Sequence, residues 1–212
     1  RLGSFENVTV DERAVSDVDG NEVTLFASEE SSGITSMLAF TEGHEPIATI
    51  KTVRLDTFMA EQNITDVDFL KIDTEGYDLM VLQGFPWGTV RPPVVLCEFE
   101  DNKTTNLGYS TEDMLAFLTN LGYTLLVSEW HPIERYGIAH SFRRITRYDK
   151  VGPPTSSWGN ILAVTDPDDA DLMMELAPSI VKRRASRRDV PLRSLWFDVW
   201  RKRATKNISV PQ

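Results

Sequence analysis

Val67-Asp-Phe-Leu-Lys-Ile-Asp-Thr-Glu-Gly76 begins as a mostly apolar run and ends as an acidic turn. Tyr77, Leu79, Met80 and Leu82 then follow at helical spacing until Gly84. A buried strand, an acid-bearing turn and an amphipathic helix in immediate succession are the repeating unit of an α/β sheet.

The same grammar extends on both sides. Downstream, Pro92-Pro93 precede the apolar run Val94 to Phe99, and Ser110 caps a predicted helix whose Met114, Leu115, Phe117, Leu118 and Leu121 share a face before Gly122. Tyr123 to Ser128 and Gly159 to Val164 read as further strands, Gly137 to Tyr148 as strand and loop, and 152–157 as loop. Asp166-Pro167 opens a last predicted helix, broken near Pro178. Upstream, strands are expected over Asn7 to Val10, Arg13 to Ser16, Glu22 to Phe26 and Ala48 to Arg54, with an irregular loop over 29–46 and a short helix over Asp56 to Gln62. Near-continuous apolar strands alternating with amphipathic helices predict an α/β fold with a mostly parallel sheet covered on both faces.

The composition fits a globular domain. The chain has 212 residues, 41% hydrophobic, with one Cys, which excludes an internal disulfide framework and any Cys-built zinc site. No apolar run approaches the length that spans a bilayer. The net charge of -10 is unevenly placed. Ten basic residues and only two acidic ones fall between Lys182 and Lys206, whereas residues 1–181 are strongly acidic. The body therefore lacks the basic face that nucleic-acid backbone requires. The tail, with Leu192, Leu195, Trp196 and Trp200 among its charges, suits an anionic membrane surface or a second domain.

Ligands in open parallel sheets bind at the carboxyl ends of strands. Two predicted strands end there in acids, at Asp73 with Glu75 and at Glu98. His131 follows a third strand end beside Trp130 and is a further candidate base; Trp158, Tyr136 and Phe142 are aromatic candidates for stacking. Asp56, Asp73, Glu75 and Glu98 offer oxygen ligands for magnesium or calcium, and Asp101-Asn102 lies just beyond, but no His joins them at ligand spacing and no metal site is assigned. A metal-dependent hydrolase on these acids would lose activity on chelation.

Several of these stretches together resemble the FkbM family of S-adenosylmethionine-dependent methyltransferases: Ala14-Val-Ser-Asp17 with Asp19-Gly20, Val53-Arg-Leu-Asp-Thr-Phe58, the Lys71-x-Asp-x-Glu-Gly76 element, Pro93 to Glu98, and Asn160. The resemblance covers residues 7 to about 165. It implies a Rossmann-like methyltransferase sheet with an antiparallel hairpin at its C-terminal edge, S-adenosylmethionine as cofactor, and O-methyl transfer to a hydroxyl of a sugar, glycan or other small natural product. On that mapping Ala14, Val15, Asp17 and Asp73 line the cofactor, Asp17 accepting from the adenine amino group and Asp73 lying beside the methionine moiety. Asp73 or Glu75 becomes the expected base, with Glu98 and His131 as further catalytic candidates. The mapping also expects residues 1–165 to be the C-terminal two-thirds of the domain and 166–212 a helical basic extension. The glycine-rich turn is expected upstream of Arg1, since no Gly-x-Gly occurs in the chain. The competing reading is a non-catalytic module of the same fold, used for binding or assembly. A cytoplasmic location is expected, and Asn-x-Ser/Thr at Asn7, Asn63, Asn102 and Asn207 keeps a secretory lumen as the alternative.

Overall fold

The computed structural model describes residues 6–28, 31–40, 43–133 and 140–184. Its elements run β1 (Ala14–Val15), β2 (Glu22–Ser28), β3 (Ser31–Ser36), β4 (His44–Val53), α1 (Leu55–Glu61), β5 (Leu70–Lys71), α2 (Asp78–Gln83), β6 (Val94–Glu100), α3 (Asp101–Thr104), a 3-10 turn (Thr105–Leu107), α4 (Thr111–Asn120), β7 (Thr124–Trp130), β8 (Phe142–Arg147), β9 (Trp158–Val164) and α5 (Pro167–Arg184).

The larger sheet has the order β5-β6-β9-β7-β8. β5 pairs with β6 in parallel, and every other neighbouring pair is antiparallel. The expected mostly parallel sheet is thus corrected to a mixed one. β5, β6 and β7 share a direction, but β9 inserts between β6 and β7 and β8 closes the edge, both running against them. Apolar periodicity reports burial of both faces and carries no information on strand direction.

Residues of β6, β7 and β9 alternate between two cores. Val95, Cys97, Phe99, Leu125, Val127, Ile161 and Ala163 face Leu79, Leu82, Met114, Leu115 and Leu118 from α2 and α4. Val94, Leu96, Leu126, Leu162 and Val164 face Ala170 and Met173 of α5. α4 begins with a capping box in which Ser110 and Asp113 each accept from the other's main-chain N–H. α5 continues through Pro178, where a break was expected. Proline removes only one helical hydrogen bond at a stretch already anchored by Met173 and Ala177, both buried.

The smaller sheet has the order β1-β4-β2-β3, with β1 parallel to β4 and β2 antiparallel to both neighbours. β3 and the first part of β4 occupy the stretch read as an irregular loop. Asn7 to Val10, read as a strand, is exposed and unpaired. Among 67–72 only Leu70 and Lys71 form ladder pairs, and Ile72 adds a main-chain bond to Leu96. Most of the basic extension, including every residue from 185 on, lies outside the described residues. Among the described residues no helix is long and apolar enough to cross a membrane.

Candidate functional site

β5 and β6 deliver their acids to one place. After Ile72 the chain leaves the sheet in the loop 73–77, where Glu75 adopts φ 54° and Gly76 φ 113°. A left-handed Glu is costly unless its surroundings fix it. Here they do. The Ser36 hydroxyl donates to the Glu75 carbonyl at 3.0 Å, and the Tyr109 hydroxyl donates to the Gly76 carbonyl at 2.7 Å. Asp78, fully buried at the start of α2, accepts from the Thr74 hydroxyl at 2.7 Å and from the Glu98 main-chain N–H at 2.9 Å. Together the two bonds tie the loop after β5 and the start of α2 to β6. Burial raises the Asp78 carboxyl against these hydrogen bonds, which favour its ionised form.

Lys103 closes the cluster from α3. Its ammonium lies 2.5 Å from Glu75, 2.8 Å from Glu100 and 3.6 Å from Glu98, and 5.0 Å from the centre of the Phe40 ring. Its side chain is only 3% exposed. Burial opposes its charge, but Glu98, Glu100 and Glu75 outweigh that and hold it cationic well above the ordinary lysine range. Burial pushes Glu75 up, with Lys103 opposing, and pushes Glu98 up to about 8. Asp73 stands at the mouth with its side chain 47% exposed, in contact with Lys71.

The predicted residues thus separate. Asp73, Glu75 and Glu98 come together, with carboxylate oxygens within 4.8 Å of one another. Such a trio has metal-site spacing, but each member already faces a lysine, and Asp56 turns away to pair with Arg54 at 2.7 Å. Ala14 and Val15 sit in β1 opposite Thr52 and Val53, Val15 packing on the main core. Asp17 follows, half-buried, with its carbonyl held by the Arg54 guanidinium at 2.6 Å. It connects to the site electrostatically: burial and then the Asp17 charge raise the Tyr77 hydroxyl.

His131 is exposed just past the end of β7, two strands away from Glu98 on β6 and three from the loop after β5 that carries Asp73 and Glu75. Its main chain bonds Ser141 and the Trp158 indole. Between it and the acids runs a row in sheet register, Glu100 opposite Trp158 and Trp158 opposite Trp130, with Phe142 packed edge-on against Trp130. Tyr136 lies outside the described residues.

Lys103, Glu100, Asp78, Tyr109, Ser36 and Phe40 were not among the predicted residues. Lys103 had left a trace, as the sole Lys or Arg between Arg91 and Arg135, set just after Glu98-Phe-Glu-Asp. The others look like ordinary turn or surface residues until the loops close.

No curated protein and no solved structure matches the chain. The description "Methyltransferase FkbM domain" matches residues 6–125, a span that includes β1 to β6, the acid-bearing loop and α4. Covering more than half of the 212 residues, that match establishes that the chain belongs to the FkbM methyltransferase domain family.

Proposed function

We propose that this chain transfers a methyl group from S-adenosylmethionine to a hydroxyl of a sugar, glycan or other small natural product, on a Rossmann-like methyltransferase sheet. The observation that carries the reading is the convergence of the loop after β5 with the end of β6, at the carboxyl ends of two parallel neighbours. The order β5-β6-β9-β7, with its antiparallel β9, supports the same assignment of the sheet.

The residues fit the cofactor by charge and placement. Asp73 presents a half-exposed carboxylate suited to the cationic end of the methionine moiety, and Asp17 offers an acceptor for an adenine amino group at the end of β1. Ala14 and Val15 would shape the wall beside it. The cofactor supplies an electrophilic methyl group on a sulfonium. The protein's task is to hold the acceptor hydroxyl in line with that carbon and to take its proton. Glu75 and Asp73 are the carboxylates placed for this. Burial pushes Glu98 up to about 8 against the opposing charge of Lys103, which lets its carboxyl carry a proton near neutral pH and donate a hydrogen bond. The row Trp158, Trp130 and Phe142 offers ring faces on which a cyclic acceptor can stack.

Calorimetric titration of the full-length protein with S-adenosylhomocysteine tests the reading. Saturable binding is expected, weakened about tenfold or more in Asp17→Ala, a loss of about 1.4 kcal/mol. Absence of binding at millimolar ligand would leave the non-catalytic module as the better account.

A further inference from the structure

Glu75, Glu98 and Glu100 crowd the Lys103 ammonium at the end of β6, with Asp73, paired to Lys71, and Asp78 beside them, and the Lys103 ammonium is not shared equally. The Lys103 ammonium donates to Glu75 at 2.5 Å, forms an ion pair with Glu100 at 2.8 Å and stands 3.6 Å from Glu98, beyond hydrogen-bond distance. Glu98 is nevertheless buried, with Glu75, Asp73 and Asp78 as its other charged neighbours. Phe40 also presents its ring to the ammonium, with its centre 5.0 Å away. One cation cannot offset all three of the enclosed carboxyl groups that face it, Glu75, Glu98 and Glu100, so of these the furthest, Glu98, is the one that stays neutral. Asp73, with its oxygens in the same cluster and its side chain 47% exposed, joins the enclosed acids to solvent.

We propose that Lys103 is a positioning residue that, drawn close to Glu75 and set back from Glu98, holds Glu75 as the carboxylate and leaves Glu98 as the carboxyl that carries a proton, in a cluster that opens to solvent beside Asp73. The inference rests on the methyl-transfer reading only for its use. In that use the acceptor oxygen forms its bond to the methyl carbon while the carbon–sulfur bond breaks, the sulfur keeping the electron pair. The acceptor proton passes to Glu75 and from there to water at the mouth of the cluster. A protonated Glu98 keeps the enclosed charge small enough for Glu75 to be ionised before each transfer.

The dependence of stability on pH reads this arrangement without cofactor or acceptor. Glu98 binds its proton more tightly in the folded chain, at about 8 against an ordinary 4.5, so its contribution is complete below about 4.5 and is lost as pH rises through about 8. Wild-type protein should therefore unfold at lower urea as pH goes from 5 to 8. Glu98→Gln, which mimics the neutral acid, should remain folded and flatten that slope. Lys103→Met should steepen it, because a further carboxyl then keeps a proton on folding, by up to tenfold per pH unit in the folding constant. Lys103→Arg should restore the wild-type slope. A lysine that merely fills space would shift all pH points equally, and that result overturns the proposal. So does a wild-type slope retained in Glu98→Gln, which decides the matter even if Lys103→Met does not fold. Failure to bind S-adenosylhomocysteine would refute the methyl-transfer reading and leave these slopes untouched.

Discussion

The two sheets of this molecule are built to different standards. In the larger, β6 is buried at six of its seven positions, and both faces are covered by helices. In the smaller, β4 is buried only at His44 and at Thr52 and Val53, and Ile47 is 58% exposed. The larger sheet holds itself together, and the acids of the site stand at its rim. The smaller sheet contributes less to stability than to placement: its segments carry Ser36 to the Glu75 carbonyl, Phe40 to the Lys103 ammonium and Asp17 to the neighbourhood of Tyr77. One sheet is scaffold, and the other is a set of fingers laid on the site.

The sharpest way to break that contrast is at Gly159. A Cβ there would stand 1.9 Å from the Ser128 carbonyl oxygen, in the middle of the larger sheet where β7 and β9 cannot separate cheaply. Gly159→Ala should cost upwards of about 4 kcal/mol or prevent folding, as large losses do when backbone must move. Gly20→Ala, at a turn of the smaller sheet with φ 74° and open space around it, should cost about 1 kcal/mol. Urea denaturation of the pair measures the difference, and equal losses would mean that both sheets are equally committed.

The second prediction compares side chains. Leu126→Ala removes a fully buried leucine between β7 and α5 and should cost about 2 to 5 kcal/mol. Leu25→Ala, half-buried in β2, should cost under about 1.5 kcal/mol by the same measurement. A loss at Leu25 as large as that at Leu126 would make the smaller sheet a second core.

These same differences decide what the sequence could disclose. β6, β7 and β9 are legible because burial on both faces demands continuous apolar residues, and α4 because Ser110 and Gly122 punctuate it. β3 was not, since Ser31-Ser-Gly-Ile-Thr-Ser36 has loop composition and becomes a strand only by pairing with β2. The acids of the site were legible because their strands are. Lys103 and Asp78 were not, because their burial is produced by α3 and by the loop 73–77 folding over the strand ends. Local sequence carries no record of such long-range closure.

A third prediction concerns the seam where the loop is held. Tyr109→Phe removes the hydroxyl bonded to the Gly76 carbonyl and should cost about 1 to 2 kcal/mol, because that acceptor is enclosed. Its larger consequence should be functional. With the left-handed Glu75–Gly76 pair less firmly held, S-adenosylhomocysteine should bind several-fold more weakly while the thermal midpoint falls only a few degrees. A stability loss without any loss of binding would confine Tyr109 to packing.

The smallest effect tests the comparison most severely. Ile47 is a large apolar residue on a strand, yet it is mostly exposed, and β-branched residues on exposed strand faces contribute by shape more than by burial. Ile47→Thr keeps the branch and removes apolar surface that water already reaches, so stability should stay within about 0.5 kcal/mol of wild type. Denaturation at several protein concentrations checks this. A loss above about 1 kcal/mol would show that the outer face of the smaller sheet is covered in solution. If that loss grew with protein concentration, the cover would be a second copy of the chain. The smaller sheet would then owe its sparse packing to the absence of that partner, and the division between scaffold and fingers would have to be redrawn around the assembled form.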